Sequence, residues 1–364
     1  MPINVMENPR ERRALDWAGI SVPRVIYGTS YLGNLYGVLP FEKKLELMAA
    51  WFQNTEKPVV IDTAGKYGAG LALEVIGKGL SGLGITPDEI VISNKLGWFR
   101  VPLTSDEPTF EPGAWAGLEN DCILKFGYRG IMDCYEQGND LLGDNFHADL
   151  VSVHDPDEYL ESADSLSDRA HRLDEILESY RALFDLKDRG EVKAVGIGSK
   201  DWRVIRELYD HVPFDWVMLA NSYTLFRHPS GLLDFMDRLA AEGVGIINSA
   251  LFHGGFLTGG ESFDYRPVDH SSSEGGNLYH WRDQFFGICR QFDVTPAAAC
   301  LHFGLSHPAI AAVALNTSKP VKMQRNMEIL CSNVPDEFWT ALKKAQLIGP
   351  QFHMEYLSRK DKKD

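Results

Sequence analysis

The feature that most constrains the fold is a near-continuous alternation of short apolar strands with amphipathic helical stretches, repeated eight times along 364 residues. Residues 25–28 read as the first strand and 41–52 as its helix; 58–62 is the second strand, with a helix over 71–80. A third strand at 89–95 leads, through a helix over 123–142, to a fourth at 149–154. Ile176, Leu177, Tyr180, Leu183 and Phe184 recur at helical spacing, the stripe of an outer barrel helix. Strands at 193–198, 215–220, 244–248 and 310–315 complete the set. A helix near 232–241 precedes the strand at 244–248; between the last two strands lie a Gly- and Ser-rich loop over 254–276 and helices near 278–292 and 296–305, and Pro320 opens the final barrel helix. Eight strands, each followed by a helix, is the count of a closed (β/α)8 barrel, an α/β TIM barrel with long loops at its C-terminal rim. We expect one barrel domain over 1–364, with a core over about 25–332 and flanking segments at 1–24 and 333–364.

An open doubly wound sheet is the competing architecture, and it binds dinucleotides on a glycine-rich first turn. Gly28-Thr-Ser-Tyr-Leu-Gly33 lacks the G-x-G-x-x-G spacing. The literal match, Gly77-Lys-Gly-Leu-Ser-Gly82, sits at the end of a helix and before a strand, the reverse of the required context, and reads as a helix stop and loop.

Composition narrows the partners. The chain is 44% hydrophobic and 24% charged, and no stretch approaches the ~20 apolar residues that span a bilayer. Its net charge of −15 argues against nucleic acid or an anionic membrane surface. Met1-Pro-Ile-Asn-Val-Met-Glu-Asn-Pro-Arg10 lacks an apolar signal core. The five cysteines are odd in number and form no Cys-x-x-Cys, so a reduced, cytoplasmic protein is expected. Neither composition nor motif fixes an oligomeric state, and no metal-ligating cluster stands out.

Three strands end in chemistry. Ile61-Asp-Thr-Ala-Gly-Lys-Tyr-Gly68 carries Asp62 and Tyr67, Val91-Ile-Ser-Asn-Lys95 ends in Lys95, and Leu150-Val-Ser-Val-His154 ends in His154. Taken singly each is ordinary: a rim tyrosine, a solvated lysine, a histidine capping a turn. In one parallel barrel all four converge on the rim where such barrels do their chemistry. A tyrosine hydroxyl, with a pKa of about 10, is a poor proton carrier at neutral pH. A nearby ammonium lowers that value, so Lys95 is expected to acidify Tyr67 while Asp62 keeps Lys95 charged and oriented. His154 can donate a hydrogen bond to a substrate oxygen. With no redox group in the chain, hydride must pass to or from a cofactor.

These residues resemble the aldo-keto reductase family over about 25–330. The Asp-Thr-Ala-x-x-Tyr-Gly run at Asp62 to Gly68 is the most specific element; the strand ends at Lys95 and His154, Gly255-Phe-Leu-Thr-Gly259 and Asn326 agree with it. The resemblance implies a (β/α)8 barrel that binds NAD(P)(H) extended, without a Rossmann fold. It implies Tyr67 as general acid/base, Lys95 and Asp62 as its tuning pair, and His154 as the residue orienting substrate. Within the family the chain is most similar to the aldose 1-dehydrogenase and pyridoxal dehydrogenase branch. That similarity rests on Gly28-Thr-Ser-Tyr-Leu-Gly-Asn-Leu-Tyr36, Tyr67-Gly-Ala-Gly-Leu71, His154-Asp-Pro-Asp157, Tyr223-Thr-Leu225 and Asp264-Tyr-Arg-Pro267. The branch oxidises sugars such as L-fucose, or pyridoxal, to lactones.

The implied cofactor contacts fall on Thr29, Ser30, Asp62, Ser199, Asn221, Ser249, Leu251, Asn316, Thr317, Lys322 and Asn326. The family's Ser-Asn pair after the fifth strand falls at Gly198-Ser199, its sixth-strand Gln near Ala220, and its stacking Tyr near Asn248-Ser249. Where NADP-dependent members often carry Lys-Ser and a later Arg, this chain has Asn316-Thr317 and Lys322, which favours NAD; Lys319 and Arg325 keep NADP open. Aromatic substrate walls are expected from Tyr31, Tyr36, Trp98, Phe99, Tyr223, Phe252 and the tail around Phe352, beside His154. The expected activity interconverts a hydroxyl or hemiacetal with a carbonyl or lactone on an aldose or small aldehyde. The alternatives are an NADPH-dependent aldehyde or ketone reductase and a cofactor-binding regulatory subunit resembling potassium-channel β subunits.

Overall fold

A computed structural model of the chain describes residues 12–15, 20–264, 266–350 and 352. Tyr265, within the Asp264-to-Pro267 run, and residues 1–11, on which the expectation about a signal core falls, lie outside the described residues.

Eight parallel strands close into a barrel. They are β1 Val25–Gly28, β2 Val59–Ala64, β3 Ile90–Leu96, β4 Leu150–His154, β5 Ala194–Ser199, β6 Trp216–Ala220, β7 Gly245–Ser249 and β8 Ile310–Leu315. Each pairs with its neighbour in sequence, and β8 pairs with β1 to close the ring. Outside run α1 Phe41–Asn54, α2 Leu71–Gly82, α3 Gly127–Leu142, α4 Leu166–Asp188, α5 Trp202–Tyr209, α6 Ser230–Ala241, α7 Pro296–Gly304 and α8 Pro320–Leu330. The strands are covered on both faces, which explains why they read as continuous β-branched runs rather than as alternating ones.

Inside the barrel the two-residue period of the strands separates a plug from a site. Ile26, Val60, Val91, Leu150, Ala194, Trp216, Ile247 and Ala312 fill the interior. An N-terminal hairpin, Arg12–Leu15 paired with Ile20–Pro23, adds Ile20 and Val22 to the same cluster. Two residues further along the strands stand Asp62, Ser93, Ser152 and Gly196. Gly196 is required there: a Cβ at this position would enter the indole of buried Trp216.

The structure corrects several expectations. The stretch 123–142 is not one helix, because Asn120–Leu124 pairs antiparallel with Trp98–Pro102 and α3 starts only at Gly127. Gly77, Gly79 and Gly82 lie within α2 rather than in a loop. For Gly77 and Gly79 the reason is close helix packing: a Cβ on Gly77 would strike the Leu142 backbone, and one on Gly79 would lie 2.5 Å from the Met48 sulfur, whereas Gly82 faces open space. The second half of the expected 254–276 loop already contains the start of a helix, Ser273–Gln291, capped by Ser272 accepting from the Gly275 N–H at 3.0 Å. Helices Pro156–Glu161 and Asp336–Lys344 were not anticipated.

Candidate active site

Tyr67 stands on a tight turn between β2 and α2. Gly68 adopts φ +63°, and its backbone touches Gly33 so closely that a Cβ on either glycine would collide with the other segment. Tyr67 itself is half-buried at the rim. Lys95 Nζ, from β3, donates to the Tyr67 hydroxyl at 3.1 Å, forms an ion pair with Asp62 and reaches the Thr63 carbonyl at 3.4 Å. Ser93 Oγ donates to the other Asp62 oxygen at 3.2 Å. The His154 ring, at the end of β4, meets the Tyr67 ring edge-on with centroids 5.7 Å apart. The four residues picked out by strand-end position are brought together on one rim.

Their charges are set by burial and by one another. Burial works against the Lys95 ammonium, but Asp62 and the Tyr67 oxygen outweigh it and hold its pKa well above the ordinary lysine value. Burial likewise raises the Asp62 carboxyl, with Lys95 and Ser93 opposing. Tyr67 departs from expectation. Burial, the largest effect, raises its pKa, and the lowering by Lys95 does not overcome it, so the resting group is a neutral phenol. His154 is pushed well below the usual histidine range by burial and then by Lys95, Lys66 and Lys200. The site thus pairs a protonated tyrosine with a neutral imidazole over a charged lysine.

A ring of charge that the strand-end argument missed surrounds this group. Lys66, the residue before Tyr67, is buried; its ammonium lies 2.7 Å from Glu111, 3.1 Å from Glu158 and 3.7 Å from Asp155, and 5.0 Å from the Trp98 ring centre. Burial opposes the Lys66 charge, but Asp155, Glu111 and Glu158 raise its pKa above the ordinary value. Lys200, after β5, pairs with Glu158 and lies 3.3 Å from Asp155. Glu111 also accepts from Trp115 Nε1 at 2.8 Å, and that indole sits 6.0 Å from the Tyr67 ring. The segment joining Trp98–Pro102 to Asn120–Leu124 thereby forms a wall beside Tyr67. The run Lys66-Tyr67 and the pair Asp155-Asp157 after His154 were the available sequence signals; the lysine was passed over because one buried beside a tyrosine is indistinguishable in sequence from a solvated one.

The family model described as "Aldo/keto reductase family" matches residues 24–346. The chain belongs to the aldo/keto reductase family. It is 28% identical over 352 residues to pyridoxal 4-dehydrogenase of Microbacterium luteolum, covering 93% of this chain and 98% of that protein. It is also 28% identical over 348 residues to D-threo-aldose 1-dehydrogenase of a Pseudomonas species, covering 91% and 96%. Among solved structures, the glycerol dehydrogenase of Gluconobacter oxydans superposes with a TM-score of 0.68 at 16% identity, over 96% of this chain and all (100%) of that one. A Bacillus halodurans aldo-keto reductase in its holo form gives 0.67 at 17%, over 96% and 99%. These two likenesses show the fold. The chain is an oxidoreductase of the aldo/keto reductase kind.

The residues that the family resemblance assigns to the cofactor follow the rim from β5 round to β1. Thr29 donates to the Asp62 carbonyl at 3.0 Å, and Asn316 donates to Ser30, tying the end of β8 to the segment after β1. Ser199 Oγ donates to the Asp201 carbonyl at 3.2 Å, and Ser249 Oγ to the Leu219 carbonyl at 3.3 Å. Asn221 is buried at φ +54°, and its side-chain oxygen has no partner among the described residues. Leu251 is buried, its side chain close against Gly304 of α7. Thr317 accepts from the Lys319 N–H at 3.2 Å, Lys322 is exposed, and Asn326 is half-buried on α8.

Two substrate expectations fail. Tyr223 is fully buried, shares a 2.8 Å hydrogen bond with Ser306 and stacks on Phe303 at 5.2 Å; it is core beneath α7. Phe352 is also buried, 4.7 Å from Phe303. Aromatic composition does not separate wall from core. Trp98, packed under Lys66, and Tyr36, 56% exposed, remain at the rim, with Tyr31 and Phe252 half-buried.

Proposed function

We propose that the chain is an NAD-preferring dehydrogenase that oxidises the hemiacetal or hydroxyl of a neutral aldose or small aldehyde to a lactone or carbonyl. The observation that carries this reading is the 3.1 Å contact of the Tyr67 hydroxyl with a Lys95 ammonium that Asp62 pins in place. The likeness to pyridoxal 4-dehydrogenase and D-threo-aldose 1-dehydrogenase supports the oxidising direction and the substrate class.

The donor set fits a nicotinamide dinucleotide. The buried Asn221 oxygen, without a partner among the described residues, is the acceptor that a carboxamide N–H needs, and Ser199 and Ser249 flank it on neighbouring strands. Thr29, Ser30, Asn316 and Thr317 lie at the β8–β1 side of the rim for the remainder of the dinucleotide. Where NADP-dependent members often carry Lys-Ser, Asn316-Thr317 supplies no cation, which weakens the grip on a 2′-phosphate and favours NAD, although Lys322 and, one turn on, Arg325 stand on α8. When bound, the nicotinamide accepts or supplies the hydride.

The chain's own residues handle the proton. Tyr67, as phenolate, takes the substrate hydroxyl proton in oxidation; as phenol, it protonates the carbonyl oxygen in reduction. Lys95 stabilises the phenolate, and Asp62 keeps Lys95 charged and in reach. His154, neutral, donates to the same substrate oxygen and aims it at Tyr67. Formation of NADH from NAD with a panel of neutral aldoses and pyridoxal, compared with oxidation of NADPH with an aldehyde panel, tests the proposal. Turnover in the first assay supports it; turnover only with NADPH overturns the direction, and none with either overturns the reading.

A further inference from the structure

One carboxylate oxygen, Asp155 Oδ2, lies 3.6 Å from His154 Nε2, 3.3 Å from Lys200 Nζ and 3.7 Å from Lys66 Nζ. The three partners come from three different strand ends. Asp155 is held there by its backbone: it adopts φ +45° and ψ +55°, a left-handed conformation that aspartate tolerates better than most residues, and its N–H donates to the Gly198 carbonyl at 3.0 Å. A strained residue fixed beside a candidate catalytic histidine invites a functional reading.

We propose that Lys66 and Lys200 are positioning residues whose ammonium groups neutralise Asp155 and its neighbour Glu158, so that His154 stays an uncharged hydrogen-bond donor to substrate. A lone carboxylate 3.6 Å from an imidazole favours the imidazolium. Here both carboxylates are engaged elsewhere: Asp155 by both lysines, Glu158 by Lys200 and, at 3.1 Å, by Lys66. All the charged and titratable groups facing His154 enter the balance. From below come Lys95, Asp62 and Tyr67; from the β2–α2 turn Lys66, itself joined to Glu111; from the β5–α5 connection Lys200; from its own segment Asp155, Asp157 and Glu158. The direction of the His154 shift, downward through burial and then the three lysines, agrees with this geometry. An imidazolium there would draw Nε2 onto Asp155, 3.6 Å away, and fix the ring by that carboxylate rather than by the substrate oxygen.

The inference rests on the proposed role of His154, but its test does not need turnover. The His154 imidazole is titrated by NMR in the full-length protein. In the parent it stays neutral well below the usual histidine midpoint. In Lys200→Met the midpoint is expected to rise by about one pH unit, the smaller end of the effect of one nearby charge. In Lys200→Met/Asp155→Asn it should return towards the parent value, because asparagine keeps the left-handed backbone and removes the charge. Lys66→Met should act like Lys200→Met; if losing the buried lysine prevents folding, the half-exposed Lys200 and the Asp155→Asn change carry the test alone. An unchanged midpoint in Lys200→Met, or no reversal by Asp155→Asn, overturns the proposal. The acidic limb of the kcat/KM profile for reduction, where the Tyr67 phenol is not limiting, should move with the NMR midpoint. A midpoint that moves while the limb stays fixed upholds the charge balance and overturns the role given to His154 in turnover.

Discussion

The Tyr67 hydroxyl sits 3.1 Å from the Lys95 ammonium, and that ammonium is simultaneously ion-paired to Asp62. Removing only the hydroxyl therefore leaves the charge pair intact. Tyr67→Phe is expected to lower kcat by about a hundredfold to ten-thousandfold, the range for losing a positioned proton donor or acceptor. Cofactor binding, followed by quenching of intrinsic fluorescence on adding NAD, should be nearly unchanged. A variant with near-parental turnover would remove Tyr67 from the mechanism.

Oxidation and reduction should depend on pH in opposite senses. Burial, only partly countered by Lys95, keeps Tyr67 above its ordinary pKa and hence protonated at neutrality. Oxidation needs the phenolate, so its kcat/KM should climb about tenfold per pH unit on the acid side of that pKa. Reduction needs the phenol and should stay level through neutrality, falling only in the alkaline range. Initial rates in both directions over about pH 6 to 10 check this. A level oxidation profile would contradict it.

Lys95→Met is expected to unfold more readily as well as lose activity. Asp62 is 4% exposed and would keep only Ser93 as a side-chain partner. Breaking a buried pair by deleting one member costs about 3–5 kcal/mol. Lys95→Met/Asp62→Leu should recover much of that loss without recovering turnover. Urea midpoints of the three proteins measure the difference, and equal midpoints for parent and Lys95→Met would refute it.

Strand-end position brought Asp62, Lys95 and His154, with Tyr67 on the turn just after β2, to one place, because a parallel barrel opens all its strands' C-terminal ends onto one rim. The barrel itself was legible for the same reason: the strand expected at 310–315 is Ile310–Leu315, and the final helix begins at Pro320 as expected. What the sequence hid depends on long-range packing. The hairpin of Trp98–Pro102 with Asn120–Leu124 spans a Pro- and Gly-rich stretch whose register no local pattern sets. Tyr223 and Phe352 look like rim aromatics until Phe303 is seen to cover them. Lys66 and Lys200 carry no periodic signal at all; their partners come from segments up to 92 residues away in sequence. The resting protonation of Tyr67 was misjudged because sequence names the neighbouring cation but not the depth of burial that outweighs it.

Gly196→Ala should be among the most damaging single changes in the barrel. The added methyl would enter the ring of Trp216, which is fully buried and cannot swing aside. Overpacking of this kind costs about 1–3 kcal/mol. Shortening the partner in Gly196→Ala/Trp216→Leu should return part of the stability, a coupling that urea unfolding of the two singles and the double reveals. Simple additivity of the two losses would argue against the contact.

Asp157→Asn is expected to stabilise the protein at pH 7. Burial first, then the charge of Asp155, pushes the Asp157 carboxyl up to about 6 from 3.8. Because the folded state binds this proton more tightly than the unfolded chain, stability falls as pH rises from about 4 to about 6, and the full cost is present above that. At about 1.4 kcal/mol per unit, the charge costs at most about 3 kcal/mol at neutrality. Asparagine keeps an oxygen to accept from the Lys200 and Asp201 N–H groups, now at 3.2 and 3.0 Å, while removing the charge. Its advantage over the parent should be about 1–3 kcal/mol at pH 7 and should shrink towards zero near pH 4. Urea unfolding at both pH values checks this, and a variant no more stable than the parent at pH 7 would show that the carboxylate's hydrogen bonds, not its burial, decide its energy.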